Sequence, residues 1–162
     1  MRWAVALLVL AATQASALSC LRPDAVAAYQ AADADDARWG LVVGTLNFDA
    51  TKLPKAPAGD PNDAPPLTQL RARLDGQALG ADGFATPFDR DIDLHVQCFG
   101  PWCAQPQSAQ TYLVFLEHTA DGQRAYADPC GTKLFANPTA ADLARMQSCF
   151  AGEACVSDRP LP

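Results

Sequence analysis

The chain has 162 residues, a formal net charge of −6 and 49% hydrophobic residues. That length supports one core and one domain. Its acidic balance, with an isoelectric point near 4.6, lacks the basic field that nucleic acid or an anionic membrane surface demands, which counts against both as partners.

At the amino end Arg2 precedes an apolar run from Ala4 to Ala12, and the small residues Ala15, Ser16 and Ala17 follow. This is the layout of a signal peptide, so residues 1–17 are expected to be removed, leaving a single domain over residues 18–162. Signal peptidase needs small residues three and one before the cut. Ala15 and Ala17 therefore favour Leu18 as the first residue of the mature chain, and cleavage after Ser19 is the second option. Lipidation of Cys20 is a third, but a lipoprotein signal prefers a large aliphatic residue where Ala17 stands. The apolar run is shorter than the roughly 20 residues of a membrane-spanning helix. The expected location is the extracellular space or the periplasm.

The segment Asp24 to Ala32 is rich in alanine, with Val26 and Tyr29 three apart and Asp24 where an N-cap belongs, which predicts a short helix. Asp33, Asp35 and Asp36 end it. Trp39 to Phe48 then reads as a strand, and its glycines Gly40 and Gly44 mark a bulge or sharp bend of the kind small barrels use at corners. Lys52 to Pro66 carries five prolines among Gly and Asp and is expected to be a long exposed loop.

Leu70, Ala72 and Leu74 alternate with Arg71, Arg73 and Asp75, the pattern of a half-buried strand. From Phe88 to Cys98 the even positions are mostly apolar, while Asp89, Asp91, Asp93, His95 and Gln97 are expected to face water. Leu113 to Leu116 is a continuous apolar run, and Asp121 with Gly122 turns the chain into a further strand at Arg124, Ala125 and Tyr126. Near the end Thr139 and Asp142 form a capping pair, and Leu143 and Met146 face inward at helical spacing. A helix, about five strands and a second helix suit a closed five-stranded barrel.

Six cysteines, Cys20, Cys98, Cys103, Cys130, Cys149 and Cys155, make an even set in an exported chain, where thiols become oxidised. Sequence leaves the pairing open. Spacing ranks first the bridges that close short loops, Cys98–Cys103 and Cys149–Cys155, which leaves Cys20–Cys130. A thioredoxin-type reading of Trp102 and Cys103 fails, because Pro106 stands where the second cysteine is needed.

On Cys20, Pro23, Ala32 and Asp33, then Gly40 to Gly44, then Cys130, Phe135 and the terminal helix ending at Cys149, the chain resembles the netrin-like fold of the tissue inhibitors of metalloproteinases. The resemblance implies an OB-type five-stranded barrel with flanking helices. It also makes Cys20–Cys130 the counterpart of a family bridge and the loop Lys52 to Pro66 the counterpart of that family's long loop between its first two strands. Members use the amino group and carbonyl of their first residue to chelate a protease zinc. Here the family's opening Cys-x-Cys is replaced by Leu18, Ser19 and Cys20, and its cysteine near the first helix is missing.

Asp89, Asp91 and Asp93 repeat at about 6.8 Å along one strand face, the pattern of a solvated face rather than a calcium site, which needs six to eight oxygens converging. His95 and Cys98, three apart on a strand, point to opposite faces and are not a metal pair. His118 follows an apolar strand and is expected at its edge. No Ser-His-Asp context, phosphate loop or His-Glu-x-x-His motif is present. Of the aromatics Trp39, Trp102, Tyr112 and Tyr126, most are expected in the core, and Trp102 is expected to be held outward between two cysteines. The expected function is that of a non-enzymatic secreted binding module, without cofactor or metal, whose site residues are Leu18, Ser19, Cys20 and Trp102 and whose partner is a protein such as a protease. The alternatives are a zinc metalloprotease inhibitor and an enzyme whose residues converge only in three dimensions.

Overall fold

The computed structural model describes residues 19–55, 57 and 59–157. The expected leader, its cleavage point and Leu18 lie outside them. The protein is mainly β. Helix α1 (Ala25–Asp33) leads into β1 (Arg38–Phe48), β2 (Leu67–Gly80), β3 (Gly83–Phe99), β4 (Trp102–Cys103), β5 (Gln110–Thr119), β6 (Gly122–Ala127), β7 (Leu134–Ala136) and helix α2 (Ala140–Phe150).

Asp24 caps α1 by accepting from the backbone N–H of Val26 at 2.8 Å and of Ala27 at 3.3 Å. Thr139 and Asp142 close a reciprocal capping box on α2: the Thr139 N–H donates to Asp142 Oδ2 at 2.8 Å, and the Asp142 N–H donates to Thr139 Oγ1 at 3.2 Å. The Thr139 hydroxyl and N–H together hold the Asp142 carboxyl below its ordinary range.

Strand β1 pairs antiparallel with β2 on one edge and with β5 on the other. β2 pairs antiparallel with β3, β3 runs parallel to β6, and β6 returns antiparallel to β5. The five strands β1, β2, β3, β6 and β5 thus form a ring that comes back to β1, with β4 added to β3 and β7 to β5. Two glycines allow β1 and β2 to approach closely. Gly44 lies directly across from Gly76, and a Cβ on Gly76 would stand 2.0 Å from the Val43 carbonyl oxygen.

Val42, Leu46, Leu74, Ile92, Leu94, Val114 and Leu116 fill the inside of the ring. A second core lies outside it, where Leu41, Leu113 and Phe115 meet Val26, Ala28 and Ala32 of α1 and Met146 and Cys149 of α2. Strand β5 is covered on both faces, which is why Leu113 to Leu116 reads as an unbroken apolar run.

Three disulfides tie this frame: Cys20–Cys130, Cys98–Cys103 and Cys149–Cys155. They fit folding in an oxidising compartment. No helix among the described residues is long and apolar enough to cross a membrane.

Three expectations need correction. His95 does not face water but is buried, because β6 runs beside it and the Tyr126 ring meets its imidazole edge-on at 5.5 Å. His118 is not on a free strand edge, since it pairs with Arg38 of β1 and with Gln123 of β6. The segment Lys52 to Pro66 is not wholly an exposed loop: Ala50–Lys52 and Pro61–Asp63 are short 3-10 turns, and Pro54 and Ala64 are buried.

Candidate functional site

The described site residues expected from sequence, Ser19, Cys20 and Trp102, are found at one end of the ring. Ser19 and Cys20 are exposed. Cys20 is fixed through its bridge to Cys130, and the loop carrying Cys130 is itself organised around the buried Asp128. Asp128 Oδ1 accepts from the Cys130 N–H at 2.8 Å, and Oδ2 accepts from the Thr132 N–H at 2.8 Å and its hydroxyl at 2.6 Å. Gly131 turns this loop at a φ of 67°, and a Cβ there would lie 3.5 Å from Pro23 Cγ. The amino-terminal segment therefore rests on a braced loop.

Trp102 is presented by the hairpin between β3 and β4. The pairs Cys98 with Cys103 and Phe99 with Trp102 lie opposite each other, and Gly100 makes the turn with a φ of 58° that side chains rarely adopt. The segment between β1 and β2 braces this hairpin: the Cys98 N–H donates to the Pro66 carbonyl at 3.0 Å, and Gln105 Nε2 donates to the Pro54 carbonyl at 3.1 Å.

Cys20, Pro54, Trp102, Gln105 and Pro129 line one groove of about 500 Å³. A neighbouring groove of about 700 Å³ shares Cys20, Cys103, Gln105 and Pro129 with it and adds Leu21. The walls of the first groove are proline rings, an indole, a primary amide and bridged sulfurs, with no titratable side chain among them. Such a surface is chemically suited to apolar groups and peptide amides.

Exposure sharpens this picture. Among the described residues six large hydrophobics are exposed: Leu21, Leu67, Phe99, Trp102, Phe150 and Val156. Trp102 lines the first groove and Leu21 the neighbouring one, Phe99 is paired with Trp102 across the hairpin, and Leu67 opens β2 opposite Gln97. Trp102 is 38% exposed and Leu21 73%. The sequence reading did not single out Leu21, Leu67 and Phe99, because an exposed leucine or phenylalanine looks like a core residue in one dimension; Pro54, Pro101 and Pro129 meet only in the fold.

The other aromatics lie elsewhere. Tyr112 is buried and its hydroxyl accepts from the Gln107 N–H at 2.8 Å. Trp39 and Tyr126 stand 6.0 Å apart on the outer face of β1 and β6. There the Tyr126 hydroxyl donates to Glu117 Oε2, and Arg124 Nη1 reaches Glu117 at 3.5 Å. Burial and the Glu117 bond push the Tyr126 hydroxyl up. Burial, and then the Arg124 guanidinium, hold His95 below its ordinary range. Lys133 lies 4.4 Å over the Trp39 ring and is pushed down by burial. This cluster is interlocked within itself and joins β1, β3, β5 and β6.

Asp89, Asp91 and Asp93 are engaged by arginines of the neighbouring strand. Arg71 Nη1 lies 2.6 Å from Asp93, and Arg73 lies 2.6 Å from Asp89 and 3.4 Å from Asp91. Among the described residues no group of three potential metal ligands converges. Compared with known proteins, the chain matches no family model, no curated protein and no solved structure.

Proposed function

We propose that this protein is an exported, non-enzymatic binding module and that it holds a protein partner at the ring end carrying Trp102 and the bridged Cys20 segment. The observation that carries this reading is the exposed Trp102, which lines a groove without titratable groups beside the bridged Cys20, with the exposed Phe99 paired across the hairpin from it. Exposed apolar residues scattered singly are ordinary, but a contiguous set on a rigid frame marks an interaction surface. Rigidity matters because a surface held by two bridges and a braced loop loses little entropy on binding.

The same proposal takes the ring to be an OB-type barrel of the netrin-like kind. The strand order β1, β2, β3, β6, β5 with its one parallel pairing, the two helices packed on the outer face and the Cys20–Cys130 bridge support that assignment. The test is co-purification of the full-length exported protein with its partner from the source cells, in parallel with Trp102→Ser. A partner retained by the wild type and lost by Trp102→Ser supports the reading. A partner retained equally by both overturns it.

A second reading, inhibition of a zinc metalloprotease, is favoured by one observation: Cys20 is bridged at the rim of the Trp102 groove. A chain starting at Cys20 would have its amine and carbonyl held for an open zinc position. A chain starting at Leu18 would have to order two further residues, at roughly 1 to 2 kcal/mol each, and would push an aliphatic side chain at the metal. Both forms are to be assayed against a panel of zinc proteases. Inhibition by the Cys20-start form alone is expected on this reading; tight inhibition by the Leu18-start form refutes the entropy argument, and inactivity of both removes the reading.

A further inference from the structure

The ring has a second opening, at the end away from Trp102. β3 pairs with β6 only from Asp93 to Val96, so the edge of β3 before Asp93 has no strand beside it among the described residues, and the ring gapes between β3 and the β5–β6 hairpin. A cavity of about 660 Å³ occupies this gap, within the usual size of small-molecule sites, which often sit in barrel mouths. Its base is formed by the core residues Val42, Phe88 and Leu116.

The polar rim differs in charge from the strand faces around it. Arg71 and Arg73 are each engaged by aspartates on the outer face. Arg90 belongs to the other face of the same ribbon: its guanidinium lies 6.0 Å over the Phe88 ring, and among the described residues no carboxylate lies within ion-pair distance of it. Across the gap, Gln123 Nε2 lies 3.5 Å from His118 Nδ1. Where the Gln123 amide donates there, Nδ1 is the acceptor and the ring proton sits on Nε2. That nitrogen lies over Gly40, where a Cβ would stand 2.8 Å from it, so the absence of a side chain there lets the imidazole reach in at the cavity rim.

We propose that this mouth binds a small amphipathic carboxylate, with the charged end held by Arg90 and the Nε2–H of His118 and the apolar body laid against Phe88. The planar guanidinium fork matches a carboxylate and gives it two hydrogen bonds. A multiply charged anion is a poorer match, because Asp89 and Asp91 also border the cavity, the one other guanidinium there, Arg73, is already paired with them, and the whole chain is acidic. The site lies at the opposite end of the ring from Trp102 and does not rest on the reading of that face.

The test is calorimetric titration of the full mature chain with octanoate, using octanol and acetate as probes that each lack one end of the ligand. Octanoate is expected to bind at least about tenfold tighter than either, the range of one charge-assisted contact. Arg90→Gln should bring octanoate to the level of octanol with the melting temperature unchanged, and Arg90→Lys, which keeps the charge and loses the fork, should fall between. Octanoate binding no tighter than octanol, or binding that Arg90→Gln leaves intact, overturns the proposal.

Discussion

His95 carries the clearest consequence at the scale of single residues. It is boxed in by the Tyr126 ring and by charges from three strands: Arg124 of β6, Glu117 of β5 and its own neighbour Asp93. Burial and Arg124 outweigh the two carboxylates and keep the folded imidazole below 6.5. The unfolded chain takes up that proton at about 6.5. Between the two values the unfolded state binds more protons, so acid favours unfolding and stability rises with pH. Urea unfolding between pH 7 and pH 5 should therefore show stability falling from about 6.5 downward, with a smaller fall in His95→Gln. Equal pH slopes for the two proteins would mean that His95 is not shielded by the fold. This burial was not legible in the sequence. The alternation of Asp89, Asp91, Asp93, His95 and Gln97 assigns all five to one face, and what distinguishes His95 is the long-range parallel pairing with β6, which leaves no mark in a local pattern.

Among the elements, the strands were legible where one face alone is buried. Leu70, Ala72 and Leu74 in β2, and Ile92, Leu94 and Val96 in β3, alternate because each is the inward member of its pair. The outer stretches of the same hairpin, Gln77–Gly80 against Gly83–Pro87, have no such contrast, since they extend beyond the ring core and their residues are mostly exposed or half-buried. The glycines of β1 were expected to mark a bulge or bend, yet the register runs unbroken through both, and at Gly44 the reason for a glycine is a close backbone approach. The two backbones lie close: a Cβ on Gly44 would meet the Asp75 carbonyl at 2.5 Å, and one on Gly76 the Val43 carbonyl at 2.0 Å. Gly76→Ala should therefore lower stability by roughly 3 kcal/mol or more, as strained overpacking does. Gly59→Ala, where nothing lies within 4 Å, should change it by less than about 0.5 kcal/mol. Denaturant midpoints for the two variants check this, and an unchanged midpoint for Gly76→Ala would contradict the close crossing of β1 and β2.

For the whole molecule, one covalent link spans the fold and two are local. Cys20 and Cys130 are separated by 110 positions, against 5 for Cys98 and Cys103 and 6 for Cys149 and Cys155. Spacing in the sequence ranks these short bridges first because their closure needs no knowledge of the fold. On loop entropy the long bridge is worth about 4 to 5 kcal/mol and a short one about 2. The double variant Cys20→Ser with Cys130→Ser should thus melt well below the variant Cys98→Ser with Cys103→Ser, and equal losses would remove the entropy ranking. The proposed binding face was only half legible: Cys20 and Trp102 carry marks in the sequence, whereas Leu67 and Phe99 become unusual only once the fold leaves them uncovered. The most direct test of that face is photo-crosslinking in the source cells, with a photoreactive phenylalanine analogue at position 102 or 99 and, as control, at the exposed strand position 71. One discrete partner adduct at 102 and 99 but not at 71 is the predicted result; the same adducts at all three positions, or an adduct at 71 alone, would contradict the account.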